Sequence, residues 1–266
     1  MQDNDLISDL LCAADPVLFA EKRLGYKPDP WQKDFLTPSS PRVLALCSRQ
    51  VGKTTTAAAR AVHTAVYEPD SLTLIIAPTQ RQSREAFTKV GNFVKDLQPV
   101  ETLDEDNKLS LTLRNGSRIV ALPGDNPHSI RGFSAPRLII EDESAWVKDT
   151  THTALRPMLA ASPNGQLVLM STPFGRRGHF FDAWQLGGDL WHRISITAPE
   201  CPRIDPGWLE AERAQIGDWR FRQEYLCEFV ETTDQLFSFD LVQAAFSDEI
   251  EPLFTGAELA AIAGAR

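Results

Sequence analysis

The chain of 266 residues carries 36 acidic against 27 basic side chains, for a formal net charge of −9, and its hydrophobic fraction is 42%, ordinary for a globular protein. That balance gives no basic footprint in bulk, with basic residues clustered only locally at Arg176-Arg177 and around Arg81–Arg84, so any contact with nucleic acid has to be local, weak per subunit or built by assembly. No apolar run reaches the ~18 residues of a membrane span, the acidic N-terminus lacks the positive charge of a signal peptide, and Cys12, Cys47, Cys201 and Cys227 form no CxxC pair and read as reduced, buried thiols.

Short β-rich runs alternate with helical runs, the pattern of a mostly parallel sheet covered by helices. Residues 6–24 read as one helix, Tyr26-Lys27-Pro28-Asp29-Pro30 breaks the chain, and a second helix starts near Trp31. Val43–Leu46 is a short apolar strand, Lys53–Tyr67 an Ala- and Thr-rich helix, Leu72–Ala77 a strand buried on both faces, and Gln80–Leu97 a helix. Over Leu109–Leu122 apolar and polar residues alternate on either side of Asn115-Gly116, which predicts an antiparallel hairpin with a two-residue turn at the margin of the sheet. Arg137–Glu141 and Gln166–Met170 are further core strands separated by a helix around Thr151–Ala160, and Trp191–Thr197 is one more strand. Asp205–Phe229 is helical with a break at Gly217-Asp218; beyond Asp234 the signal weakens, and Thr255–Arg266 carries little aromatic or strand character.

The segment Cys47-Ser48-Arg49-Gln50-Val51-Gly52-Lys53-Thr54-Thr55 joins a strand to a helix that opens at Lys53. This is the context of a phosphate-binding loop, in which backbone N–H groups and the helix dipole face the β-phosphate. Gly52 permits close approach, Lys53 reaches the β- and γ-phosphates, and the Thr54 hydroxyl serves Mg²⁺. Cys47 stands where the GxxxxGK[ST] pattern has its first Gly. A carboxylate is needed at the end of a neighbouring strand, and Leu138-Ile139-Ile140-Glu141-Asp142-Glu143 supplies it. Asp142 fits the Mg²⁺ shell, Glu143 fits the base that positions or deprotonates water, and Glu141 points away because strand side chains alternate. Arg49 has two readings: a cis contact to the γ-phosphate, a role worth about 10³–10⁵ in rate in related chemistry, or a side chain that points to solvent or pairs with a local acid. Gln32, just before this unit, both donates and accepts, which suits an adenine edge.

Trp31-Gln32, then Ser48–Thr54, Glu141-Asp142-Glu143 and Ser171-Thr172-Pro173 resemble the large terminase subunit of tailed bacteriophages, from about residue 25 to 240. The resemblance implies an ASCE-type ATPase core of α/β class, RecA- and superfamily-2-like, with a mostly parallel sheet, the added hairpin and a small lid subdomain. It implies ATP and Mg²⁺ as cofactors and catalytic roles for Glu143, Arg49, Arg131 and Lys53. Ser171, Thr172 and Pro173 match its coupling motif, and Ser129-Ile130-Arg131-Gly132 matches a segment whose arginine acts in trans on a neighbouring subunit. Pro78-Thr79-Gln80 resembles a segment that lies near DNA or transmits motion. The implied partners are double-stranded DNA, a portal protein, a small terminase subunit and further copies of the chain in a ring on the procapsid, with a monomer in isolation. The implied location is the host bacterial cytoplasm, without a membrane. Large terminases normally continue into a nuclease domain; only 32 residues follow Asp234, so the expectation is an ATPase domain over 1–235, a tail over 236–266 toward a nuclease domain, and no cleavage by this chain. Two other readings stay open: a superfamily-2 helicase or translocase fragment, and a nucleotide-dependent scaffold without useful turnover.

Overall fold

The architecture follows from how the apolar runs pair. In a computed structural model of the chain, the described residues are 3–97, 103–107, 109–126, 130–162, 164–231, 241, 244 and 245. Eight strands form one sheet: β1 Arg42–Cys47, β2 Leu72–Ala77, β3 Leu103–Asn107, β4 Ser110–Leu113, β5 Arg118–Pro123, β6 Leu138–Asp142, β7 Gln166–Ser171 and β8 His192–Ile196. Their order is β3-β4-β5-β2-β6-β7-β1-β8. The pairings from β5 through to β8 are parallel, and the β3–β4 and β4–β5 pairings at one margin are antiparallel. The α/β class and mostly parallel sheet expected from the sequence are thus present.

Helices cover both faces, so the central strands alternate between two apolar cores with period two. Val43, Ala45 and Cys47 of β1 enter one core, with Ala57, Ala58, Ala61 and Val62 of α4 (Lys53–Tyr67). Leu44 and Leu46 enter the other, with Leu155 and Met158 of α6 (Asp149–Ala160) and Phe180 of α7 (Gly178–Leu186). The first face also receives α1 (Asp3–Ala14), α2 (Pro16–Lys22), α3 (Pro30–Leu36) and α5 (Gln80–Asp96). A third, small cluster of Ala198, Leu209, Phe221 and Tyr225 joins α8 (Pro206–Ile216) to α9 (Asp218–Leu226) and forms the core of the lid. Gly217, at φ 81°, makes the break between these two helices.

Three local features depart from the sequence reading. The helix expected over 6–24 is two helices, because Pro16 opens a new one and Asp15 Oδ1 caps it, accepting from Val17 N at 2.8 Å and Leu18 N at 3.2 Å. The hairpin turn takes three residues, 114–116, closed by Leu113 N donating to Ser117 O at 2.8 Å. Gly116 takes φ 81° there, and the Asn115 amide donates to the Ala65 and Val66 carbonyls near the end of α4, at 2.8 and 3.1 Å. The third departure is β3, which extends the antiparallel margin beyond the predicted hairpin. Ser129, most residues beyond 231 and the segment 255–266 lie outside the described residues.

Candidate active site

The parallel register brings the C-terminal ends of β1, β7 and β6 to one edge, with Leu46 opposite Ser171 and Met170 opposite Asp142. From β1 the chain passes through Ser48–Val51 into α4. Gln50 takes φ 62° and Gly52 takes φ 93°. Gly52 needs that freedom twice over: a Cβ added there would meet Gln32 Nε2 at 2.9 Å.

The loop is held from outside by its carbonyls. Val51 O accepts from Gln32 Nε2 at 3.1 Å and from Arg203 Nη2 at 2.7 Å. Peptide planarity sets the Gly52 N–H opposite to that carbonyl, so these two donors turn the N–H away from themselves, as a phosphate cradle requires. Gln32 is fully buried, and its Oε1 accepts from Asp29 N at 2.8 Å. Both ends of the amide placed at an adenine edge from sequence are therefore engaged in the cap of α3 and in the loop. Arg203 also pairs with Asp29.

The acidic strand end meets this loop directly. Thr54 Oγ1 donates to Asp142 Oδ2 at 2.8 Å, and Lys53 Nζ lies 3.2 Å from Glu143 Oε1. Lys53 is buried; burial pulls its pKa down, but the carboxylates of Glu143 and Asp142 outweigh that and leave it raised. Asp142 is pushed up to about 6, first by burial and then by the Glu143 charge, against the pull of Lys53. Glu143 sits in the left-handed region at φ 52° and ψ 45°, a conformation that costs a non-glycine residue about 1–3 kcal/mol and persists only where its surroundings enforce it. Asp142 Oδ1 accepts from Glu143 N at 3.0 Å, and the Ser144 hydroxyl donates to Glu141 Oε2 at 2.9 Å. Glu141 itself turns to the opposite face, fully buried between His152 and His179, which hold its carboxyl down at about 2 against the burial that would raise it.

The other predicted residues fall in four places. Arg49 is paired with Glu224 of α9, whose carbonyl also accepts from Arg49 N and Ser48 Oγ, each at 3.2 Å. The lid therefore rests on the loop, and Arg49 pairs across it with an acid 175 residues further along the chain. Ser171, Thr172 and Pro173 are buried beside the acidic turn: Ser171 Oγ accepts from Ala145 N at 3.2 Å, and the next residue, Phe174, stacks on Trp146 at 3.6 Å between ring centres. Arg131 is exposed and borders a cavity of about 760 Å³ with Phe133 and Asp149. No hydrogen bond or ion pair among the described residues joins it to the loop of its own chain. Thr55 lies half-buried in the first turn of α4.

Sequence reasoning missed Arg203 and Glu224, which lie far along the chain from the loop they touch. A local signal did exist for Gln32. Asp29-Pro30-Trp31-Gln32 has the spacing of a capping box, and a cap is where the Gln32 oxygen goes.

Residues 44–244 match the family described as "Terminase large subunit, T4likevirus-type, N-terminal". The chain is similar to the large terminase subunit of Thermus phage G20c, at 28% identity over 249 residues covering 81% of this chain and 51% of that protein. It thus spans about half the length of this curated relative. Its fold is similar to the large terminase ATPase domain of Thermus phage P74-26, with a TM-score of 0.72 at 26% identity, covering 80% of this chain and 97% of that one. It is also similar in fold to a large terminase from a thermophilic bacteriophage solved in complex with ADP, with a TM-score of 0.61 at 14% identity, covering 76% of this chain and 54% of that one.

Proposed function

The chain belongs to the T4likevirus-type terminase large subunit family, N-terminal part, and from that premise we propose that it hydrolyses ATP to drive double-stranded DNA into a phage procapsid. The observation that carries the reading is the convergence of Thr54 on Asp142 and of Lys53 on Glu143 at the mouth of a strand–loop–helix cradle. A likeness of fold and partial sequence to an ATPase domain of a large terminase supports it.

The donors present fit Mg²⁺. Octahedral bonds of about 2.0–2.1 Å place neighbouring ligand oxygens about 2.9 Å apart, and Thr54 Oγ1 and Asp142 Oδ2 are 2.8 Å apart. Thr54 and Asp142 would hold the ion, which would supply charge neutralisation during phosphoryl transfer. The chain's own groups supply the rest. The loop amides and the α4 N-terminus bind the β-phosphate. Lys53 exchanges its contact with Glu143 for the phosphates, and Glu143, released from that pair, orients the attacking water and accepts its proton. Arg49 leaves Glu224 for the γ-phosphate in cis. Arg131, exposed and remote from its own loop, acts on a neighbouring subunit in a ring, and Ser171-Thr172-Pro173 passes the state of the acidic turn onward. A portal protein, a small terminase subunit and the host cytoplasm complete the proposed setting. Residues 1–235 form the ATPase domain in this reading, and 236–266 continue from it.

Phosphate release measured with and without Mg²⁺ tests the proposal. Lys53→Ala and Glu143→Gln should each lower kcat by about 10²–10⁴, with Glu143→Gln still binding a fluorescent ATP analogue. Full turnover in Glu143→Gln sinks the assignment of the base. Binding without turnover in the presence of DNA and portal favours a scaffold, and strand displacement favours a helicase.

A further inference from the structure

Beneath the acidic turn, on the face covered by α6 and α7, three metal-ligating side chains meet that the proposed ATP chemistry does not use. Glu141 Oε1 is 2.7 Å from His152 Nδ1, and its Oε2 is 3.0 Å from His179 Nε2. The three residues offer ligand atoms that all lie within 4.8 Å of one another. We propose that Glu141, His152 and His179 form a binding site for a late first-row divalent cation, with Zn²⁺ as the ion that fits.

The donor set selects the ion. Two imidazole nitrogens and one carboxylate suit Zn²⁺, whereas Mg²⁺ and Ca²⁺ take oxygen shells. Two His and one Glu with a further position open is a familiar zinc set. The outer shell is also in place. His179 Nδ1 lies 2.8 Å from Asp149 Oδ1, and a carboxylate on the far nitrogen of a ligating histidine fixes the tautomer and aims Nε2 at the metal. Ser144 Oγ, 2.9 Å from Glu141 Oε2 and 3.0 Å from His179 Nε2, hydrogen-bonds two of these three groups. Access exists, because the His152 and His179 side chains keep 12% and 10% exposure and Asp149 borders the 760 Å³ cavity.

Binding requires one defined movement. Tetrahedral Zn²⁺ with bonds of about 2.0–2.2 Å holds its ligand atoms about 3.3–3.6 Å apart, more than the 2.7 and 3.0 Å carboxylate–imidazole contacts. The ion therefore replaces the protons shared across those contacts. The two imidazole rings stack at 4.1 Å with 11° between planes, so they must splay for both lone pairs to meet one ion. Glu141 precedes Asp142 and is bonded by Ser144, so an ion here stiffens the turn that carries Glu143.

Equilibrium dialysis of the full chain against Zn²⁺ alone, followed by mass-spectrometric metal analysis, tests the site. The wild type and Asp142→Asn are expected to retain about one Zn²⁺ per chain. His152→Gln and His179→Gln should lose it, and Asp149→Ala should bind about 10–100-fold more weakly. No retained Zn²⁺ in the wild type, full retention in both Gln variants, or loss in Asp142→Asn overturns the assignment. Should the Gln variants not fold, Co²⁺ titration of the intact chain decides. Intense visible bands of four-coordinate cobalt without thiolate charge transfer are expected, and a spectrum like that of aqueous Co²⁺, or one with thiolate bands, overturns the site. No nucleotide enters these measurements, so their outcome is independent of whether the chain hydrolyses ATP.

Discussion

Replacing Glu224 by Gln on the lid helix asks whether Arg49 is held in reserve. The substitution removes one charge, keeps an acceptor oxygen at the same place, and leaves the carbonyl that receives Arg49 N and Ser48 Oγ untouched. The Arg49 and Glu224 side chains are 55% and 18% exposed, so solvent screens the pair and its worth is on the order of 1 kcal/mol. If Arg49 has to leave Glu224 to reach the γ-phosphate, that energy is part of the barrier. Since about 1.36 kcal/mol is tenfold in rate, Glu224→Gln should raise kcat by up to about fivefold. The melting temperature should fall by no more than about 4 °C for a domain of this size. The assay is phosphate release at saturating ATP and Mg²⁺, run beside Arg49→Ala and the double variant, both expected to be slow. A Glu224→Gln kcat that falls toward the Arg49→Ala value would mean that Glu224 holds Arg49 in its working position. An unchanged kcat would mean that the pair sets no barrier. Either result refutes the reasoning.

Gly52→Ala forces a side chain into a loop residue at φ 93° and against Gln32 Nε2 at 2.9 Å; a loss of about 1–3 kcal/mol in chemical denaturation is expected, together with loss of nucleotide binding in a fluorescence titration. Asn115→Ala removes three hydrogen bonds, to Ala65 O, Val66 O and Ser117 N. It should cost about 2–4 kcal/mol in denaturant melts while turnover per folded molecule stays at the wild-type value. His63 packs its ring against Phe19 and Tyr67, and burial lowers its pKa against the hydrogen bond to Cys12 O. Below about 6.5 the unfolded chain takes up that proton first, so the stability His63 contributes is present above that pH and is lost as pH falls. The difference in melting temperature between wild type and His63→Gln should shrink from about pH 7.5 to about pH 5, and a gap that widens on acidification contradicts the assignment.

The parts of the fold that were legible are those whose physics is local. β2, β6 and β7 are runs of apolar residues too short for helices and too continuous for one-sided strands. The strand–loop–helix at Cys47–Thr54 is legible because Gly52-Lys53-Thr54 stands between an apolar strand and a helix. What stayed hidden depends on topology. Glu224 reaches Arg49 across 175 residues, and His179 reaches Glu141 across 38, contacts made by tertiary packing of helices that sequence proximity does not reveal. The break at Pro16 and the cap at Gln32 are a different failure. Asp15-Pro16 and Asp29-Pro30-Trp31-Gln32 carry local helix-start signals that the reading of 6–24 as one helix and of Gln32 as an adenine contact passes over.

The strained residue gives a physical reason for the acidic turn and the segment after β7 to act together. Glu143 keeps φ 52° within a turn whose neighbours are each held by a contact. Asp142 takes its amide, Glu141 takes the Ser144 hydroxyl, Ser171 takes the Ala145 amide, and Trp146 is stacked on Phe174. Two of these restraints come from residues 171–174. On the proposed reading Lys53 gives up Glu143 when a phosphate arrives, which removes the ion pair that anchors the Glu143 side chain. The strain of about 1–3 kcal/mol is then opposed by the backbone restraints alone. Relaxation of the turn toward an unstrained conformation draws on the Ala145–Ser171 hydrogen bond and the Trp146–Phe174 stack. On that proposed reading, a change at the γ-phosphate is passed to the post-β7 segment through the Ser171 hydroxyl and the Phe174 ring.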